Sequence, residues 1–114
     1  MTLALRVHRI TFFVKDLEAA TAYYRDALGL PVAKIREGWA AFIAAPHMEI
    51  ALHRGKGRYP RIELSARGNL EDARASLNAR GARLGQSKTV RGRAVCTGKD
   101  RDGNSIQLSA DASG

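Results

Sequence analysis

A chain of 114 residues suits one domain that buries roughly two-thirds of its unfolded surface, so folding requires neither disulfides nor a structural metal. The hydrophobic share of 45% and charged share of 26% are those of a soluble globular protein, and the single cysteine, Cys96, excludes an internal disulfide. The net charge of +8 favours anionic partners through long-range attraction.

At the N-terminus, MTLALRVHRITFFV is interrupted by Arg6, His8 and Arg9, so no signal peptide is expected there. No apolar run approaches the ~18 residues that span a bilayer. The expected location is cytoplasmic.

The first strand is RITFFV, rich in β-branched and aromatic residues. Asp16 follows as a helix N-cap, and Glu18 places negative charge in the first turn, where the helix dipole favours it. Leu17, Ala20, Tyr24 and Leu28 recur at helical spacing and predict one buried face, with Gly29 as the stop. Three strand-like segments come next: LPVAKIRE, GWAAFIAAP and HMEIALHR. A Gly- and Pro-bearing connection, RGKGRYPR from Arg54 to Arg61, is the one dense basic cluster.

The second half repeats these devices. RIELSA from Arg61 is the strand, Asn69 the N-cap, Glu71 and Asp72 the first-turn acids, and Gly81 the stop. Leu70, Ala73, Leu77 and Gly81 repeat the helical spacing. ARLGQSKTV, GRAVCTGKD and NSIQLSA supply three more strand-like segments, the last two joined at the Asp102-Gly103 turn signal. The prediction is an α+β chain of two tandem βαβββ modules, about 7–54 and about 61–109, with a linker at 55–60, in a single domain spanning 1–114.

Period-2 alternation assigns the faces. Ile10, Phe12, Val14, Ile50, Leu52, Ile62, Leu64, Ile106 and Leu108 should face the helices. Arg9, Thr11, Phe13, Glu49, Ala51, His53, Arg61, Glu63 and Gln107 should face the other way. A curved sheet with such a concave face is a ligand cup.

RITFFVKDLEAATAYYRDALG, GWAAF, EIALH and DRDGNSIQL together resemble the vicinal oxygen chelate superfamily, which includes glyoxalase I, extradiol dioxygenases, fosfomycin-resistance enzymes and bleomycin-resistance proteins. The resemblance runs from about Arg9 to Leu108. It implies paired modules forming a half-open curved β-barrel with helices on the convex face, homodimers, and a site in each cup. In metal-using relatives the ligands stand at places held here by Arg9, Ala51, Arg61 and Gln107. Arginine has no lone pair to donate at ordinary pH and alanine has no donor, so no metal and no cofactor is expected.

Two arginines in one cup repel unless negative charge lies between them. Glu63 and Glu49 supply it in one reading, as an internal ion-pair network. A ligand carboxylate, phosphate or sulfate supplies it in the other. Phe13, Trp39 and Phe42 offer stacking surface or plain core, and His53 offers an acid or base. His8, His47 and His53 lack metal-ligand spacing. Cys96 reads as a small buried residue, and DRDGN as a hairpin turn rather than a calcium loop. The GKG of the basic connection lacks the setting of a phosphate loop.

The expected ligand-binding set is Arg9, Arg61, Glu63, Glu49, Gln107, Phe13, Trp39 and His53, with no catalytic residue assigned. The expected function is metal-independent binding of an organic, anionic small molecule by a homodimer. The alternative is a lyase, isomerase or dioxygenase-like enzyme with atypical site residues. Nucleic-acid binding through RGKGRYPR is the third and least supported reading, and no membrane partner is expected.

Overall fold

Asp16 has extended backbone, and its carboxylate accepts from the Ala19 N–H at 3.0 Å. That cap ends strand β1 (Leu5–Val14) and starts helix α1 (Leu17–Ala22). Asn69 does the same for α2 (Leu70–Ala79), accepting from the Asp72 N–H at 3.1 Å after strand β5 (Arg61–Ala66). The computed structural model describes residues 5–57 and 60–110, so Arg58 and Tyr59 of the basic cluster lie outside it. Three strands follow α1, namely β2 (Val32–Arg36), β3 (Trp39–Ala45) and β4 (Met48–Arg54). Three follow α2, namely β6 (Lys88–Val90), β7 (Arg93–Lys99) and β8 (Ser105–Ala110). None of the described helices is long and apolar enough to cross a membrane.

The chain divides into two compact units, one of His8–Arg61 and one of Ile62–Gly114 with Met1–Val7. In the first, the strand order is β2-β3-β4-β1. β4 is antiparallel to β3 and parallel to β1. On one face of this sheet Leu17, Ala40, Phe42 and Leu52 form a buried core, with Phe12, Val14, Ala20, Tyr24 and Leu30 packed against it. In the second unit the order is β5-β8-β7-β6. Its core is Ala66, Leu70, Ala73, Leu84, Cys96 and Leu108, joined by Leu64 and Leu77. The assignment of Phe12, Val14, Leu52, Leu64 and Leu108 to the helix side holds in both cores.

Two expectations are corrected. Leu28 does not continue the buried stripe of the first helix; it is 52% exposed. The helix changes to a π-helical turn over Tyr23–Ala27, and the wider turn carries Leu28 off the face that Leu17, Ala20 and Tyr24 share. The segment ARLGQSKTV is a strand only at Lys88–Val90. Its first part is held as a loop. The Asn78 side chain accepts from the Leu84 N–H at 2.6 Å and donates to the Leu84 carbonyl at 3.0 Å, while the Gly85 N–H donates to the Thr97 carbonyl at 2.8 Å.

The C-terminus of α2 closes as a Schellman motif. The Gly81 N–H donates to the Asn78 carbonyl and the Ala82 N–H to the Leu77 carbonyl, with Gly81 at φ 95°.

Candidate functional site

In the first unit the register brings the polar row together. Arg9 lies opposite Glu49, Thr11 opposite Ala51, and Phe13 opposite His53. On the other side of β4, Ala41 pairs with Ala51 and Trp39 with His53. Directly paired residues share a face, so Arg9, Thr11, Phe13, Trp39, Ala41, Glu49, Ala51 and His53 occupy the face opposite the helix-side core. Its centre is closed: Thr11, Ala41 and Ala51 have no exposure, and Trp39 is buried with them.

Around that centre the charged groups are placed by specific contacts. Arg9 Nε donates to Glu49 Oε1 at 3.1 Å, and Nη2 lies 3.0 Å from the same oxygen in an ion pair. The Arg9 guanidinium carbon also stands 5.2 Å from the centroid of the Trp39 ring. Arg36, the register partner of Trp39, stacks on the same indole at 4.2 Å. Two cations therefore converge on one aromatic ring, and a carboxylate pairs with one of them. Farther along the face, Arg61 lies 5.6 Å from the Phe13 centroid, and Phe13 meets the His53 ring at 5.6 Å with the planes tilted by 50°. His53 Nδ1 is 2.8 Å from the Arg54 carbonyl oxygen. Because a carbonyl only accepts, Nδ1 carries the proton, and Nε2 is the acceptor in the neutral ring. The connection after β4 packs back on this face. The Gly55 N–H donates to the Val14 carbonyl at 3.1 Å, and Gly57 lies so close to the Phe13 ring that a β-carbon there would collide with it.

In the second unit Glu63 is buried, and the Gln107 Nε2 amide donates to its Oε1 at 3.4 Å. Ser65 and Ser109 are buried nearby in sequence on the same strands.

Each expected site residue thus has a described contact. Glu49 partners Arg9, Trp39 carries the guanidinium of Arg9, Phe13 joins Arg61 to His53, and Gln107 joins Glu63. Phe42 belongs instead to the helix-side core, stacked on Tyr24 at 5.8 Å. Arg36 was missed by the sequence reading. The signal was present: Glu37-Gly38, with Gly38 at φ 74°, is a two-residue turn that sets Arg36 opposite Trp39.

The donor set does not fit a divalent metal. At the four positions the resemblance singles out, Arg9 is a cation in an ion pair, Arg61 is a cation on a ring, Ala51 is a buried methyl, and Gln107 donates its amide N–H to Glu63, which leaves its amide oxygen as the one neutral donor of the four. Among the described residues no cluster of three or more His, Cys, Asp or Glu side chains could hold a metal.

Comparison with known proteins agrees with this architecture. The family model described as Glyoxalase/Bleomycin resistance protein/Dioxygenase superfamily matches residues 6–108. A hypothetical protein from Bacillus halodurans C-125 superposes with a TM-score of 0.77 at 14% identity, covering 95% of each chain. A glyoxalase/bleomycin resistance protein/dioxygenase superfamily member from Vibrio splendidus 12B01 gives 0.67 at 16% identity, over 96% of this chain and 99% of that one. The Mn(II)-bound glyoxalase from Novosphingobium aromaticivorans gives 0.71 at 24% identity, over 92% of this chain but 38% of that one. At these identities the likeness concerns the fold alone. Among curated proteins no relative matches the sequence.

Proposed function

The chain belongs to the Glyoxalase/Bleomycin resistance protein/Dioxygenase superfamily, and from that premise we propose that it is a metal-independent small-molecule-binding protein that takes an organic anion on the arginine-bearing face of its first sheet. We take it to work as a cytoplasmic homodimer. The observation that carries the reading is Arg9. The resemblance aligns it with a place where metal-using relatives keep a ligand, and in the structure it contacts Glu49 and the Trp39 ring. A guanidinium so held presents a planar donor fork that matches a carboxylate or phosphate. Arg36 and Arg61 add charge of the same sign, and Phe13 with His53 offers aromatic surface for the body of the ligand. Glu49, one-third exposed, is the internal anion that the ligand competes with or bridges.

The test pairs metal analysis of the purified protein with a thermal-shift panel of aryl carboxylates, phosphate esters and their neutral analogues. The expected result is no stoichiometric transition metal, stabilisation by anionic members only, and loss of that stabilisation in Arg9→Met. Equal stabilisation by neutral analogues, or a stoichiometric metal required for binding, overturns it.

One observation favours the enzymatic alternative. The fixed Nδ1–H of His53 leaves Nε2 as a proton acceptor beside the Phe13 ring, the arrangement of a general base. Turnover in a glyoxalase, lyase and dioxygenase panel that disappears in His53→Ala would establish that reading instead.

A further inference from the structure

The two units build their helix-side cores from matching positions. Leu17, Ala20 and Leu52 in the first correspond to Leu70, Ala73 and Leu108 in the second. Three other positions carry smaller side chains in the second. Phe12, Val14 and Tyr24 correspond to Leu64, Ala66 and Leu77. In the first unit Tyr24 and Phe42 stack and fill the space under the helix. In the second, smaller side chains stand in the same frame, and a cavity of about 700 Å³ opens beside the C-terminal end of α2. Leu64, Leu77, Leu84, Ile106 and Leu108 line it. That volume is in the range of small-molecule sites, roughly 300–1,000 Å³.

The mouth is cationic. Arg83, Lys99 and Arg101 line the cavity and are exposed, whereas Leu84 and Leu108 are buried. Asp100 is the acid at the mouth, and its carboxylate is committed to the hairpin turn. It accepts from the Asp102 N–H, the Asn104 N–H and the Asn104 side-chain amide, each at 2.9 Å. The wall is also held in place. Arg83 sits at φ 58°, a left-handed conformation that costs a non-glycine residue energy. Gly98 lets it approach: a β-carbon there would stand 3.0 Å from the Arg83 carbonyl oxygen and 3.3 Å from Leu84. Asn78 and Thr97 fix Leu84 and Gly85 from the other side.

From this apolar chamber with a basic rim we propose a second binding site, separate from the arginine-bearing face, for an amphiphilic carboxylate. Its hydrocarbon part lies among the leucines, and its carboxylate meets Arg83, Lys99 and Arg101. Apolar burial supplies most of the affinity, and the rim selects the sign of the head group.

Sodium decanoate, decanol and decyltrimethylammonium, each titrated into the full chain below its micellar concentration, test this by calorimetry and amide chemical shifts. Decanoate is expected to shift the amides of residues 77–85 and 99–101 and to bind at least tenfold tighter than decanol, with decyltrimethylammonium weakest. Lys99→Glu/Arg101→Glu should weaken decanoate at least tenfold and leave decanol unchanged, while the equal charge change Lys34→Glu/Lys88→Glu should leave decanoate binding within twofold. Leu77→Tyr copies the first unit and should abolish binding; if it lowers Tm, Ala82→Leu at the lining serves the same purpose. Arg9→Met should have no effect, which separates this site from the one proposed above. Equal affinity for decanoate and decanol, shifts confined to the Arg9 face, unaltered binding in the filled variants, or no decanoate binding refutes the proposal.

Discussion

Replacing Arg9 by Met and Glu49 by Gln, singly and together, measures the contact on which the candidate site is built. Two guanidinium nitrogens lie 3.1 and 3.0 Å from one carboxylate oxygen, and the side chains are 24% and 33% exposed. An exposed pair contributes about 0–1 kcal/mol. Removing one partner of a buried pair costs about 3–5 kcal/mol. A pair one-quarter to one-third exposed belongs between these, and partial hydration of the surviving partner pulls the value down. The expected coupling energy is about 1–2 kcal/mol in 50 mM salt. In a domain of this size about 4 °C of Tm accompanies each kcal/mol, so each single variant should melt about 4–8 °C lower. The double variant should lose much less than the sum. Denaturant titrations of the four proteins give the cycle, and the cycle isolates this pair from the other contacts of Arg9. At 500 mM salt the coupling should shrink, because the pair is partly solvated. A coupling below about 0.3 kcal/mol, or one unchanged by salt, would show that Glu49 does not hold Arg9. The same variants bear on ligand binding: Glu49→Gln removes the internal competitor and should strengthen anion binding, whereas Arg9→Met should weaken it.

Four further outcomes are expected. Asp16→Ala and Asn69→Ala should each destabilise the chain by about 1 kcal/mol, read from urea midpoints at constant m-value; a loss below a few tenths in either would mean that the cap is replaced by water. Gly57→Ala drives a methyl into the Phe13 ring and should cost about 1–3 kcal/mol while changing the ring-current shifts of His53; unaltered His53 shifts would refute the contact. Cys96 has no exposure, and burial pushes its thiol pKa up, so a thiol reagent should label it only at the unfolding rate, and fast stoichiometric labelling of the native protein would contradict its position. The Asp100 carboxyl is held below the usual carboxylate value, first by the Asn104 side chain and then by backbone N–H groups. A depressed folded pKa gives stability that is full above about pH 4 and lost as pH falls through the folded value. The Asn104 amide resonances should therefore report loosening of the turn only below about pH 4, and titration of Asp100 at or above that pH would refute the assignment.

The parts of the fold that were legible in the sequence depend on local chemistry. Asp16 and Asn69 announce helix starts because a short side chain with an oxygen acceptor satisfies exposed N–H groups three residues on. The pairing of Arg9 with Glu49 was legible as a shared face because strand alternation is strict. The π-helical turn at Tyr23–Ala27 was not legible. Tyr24 and Leu28 keep the spacing of an ordinary helix in the sequence, and only the backbone shows that they part. The loop before β6 was missed for a different reason. It is fixed by Asn78 from the preceding helix and Thr97 from a later strand, so no window around Arg83 contains its cause. Arg36 lies between. Its turn was visible, but its value comes from the Trp39 ring that Arg9 also uses.

We read the chain as two copies of one unit, and on that reading scaffold and chemistry separate. Positions filled alike in the two copies pack: Leu17 with Leu70, Ala20 with Ala73, and Leu52 with Leu108 stand in corresponding cores. A packing position tolerates little change in volume, so agreement there is what two copies of one fold require. Positions filled differently are released from that requirement, and they are where the two halves acquire separate surfaces. Trp39 against Val95 and Glu49 against Ser105 give the first sheet an indole and a carboxylate that hold Arg9, and the second unit has neither at these positions. Tyr24 against Leu77 and Phe12 against Leu64 leave the second core short of two aromatic rings at positions that line the basic-rimmed cavity. Both candidate sites of this chain therefore fall where the copies disagree. A substitution that restores agreement, such as Leu77→Tyr, should remove a site while keeping the fold.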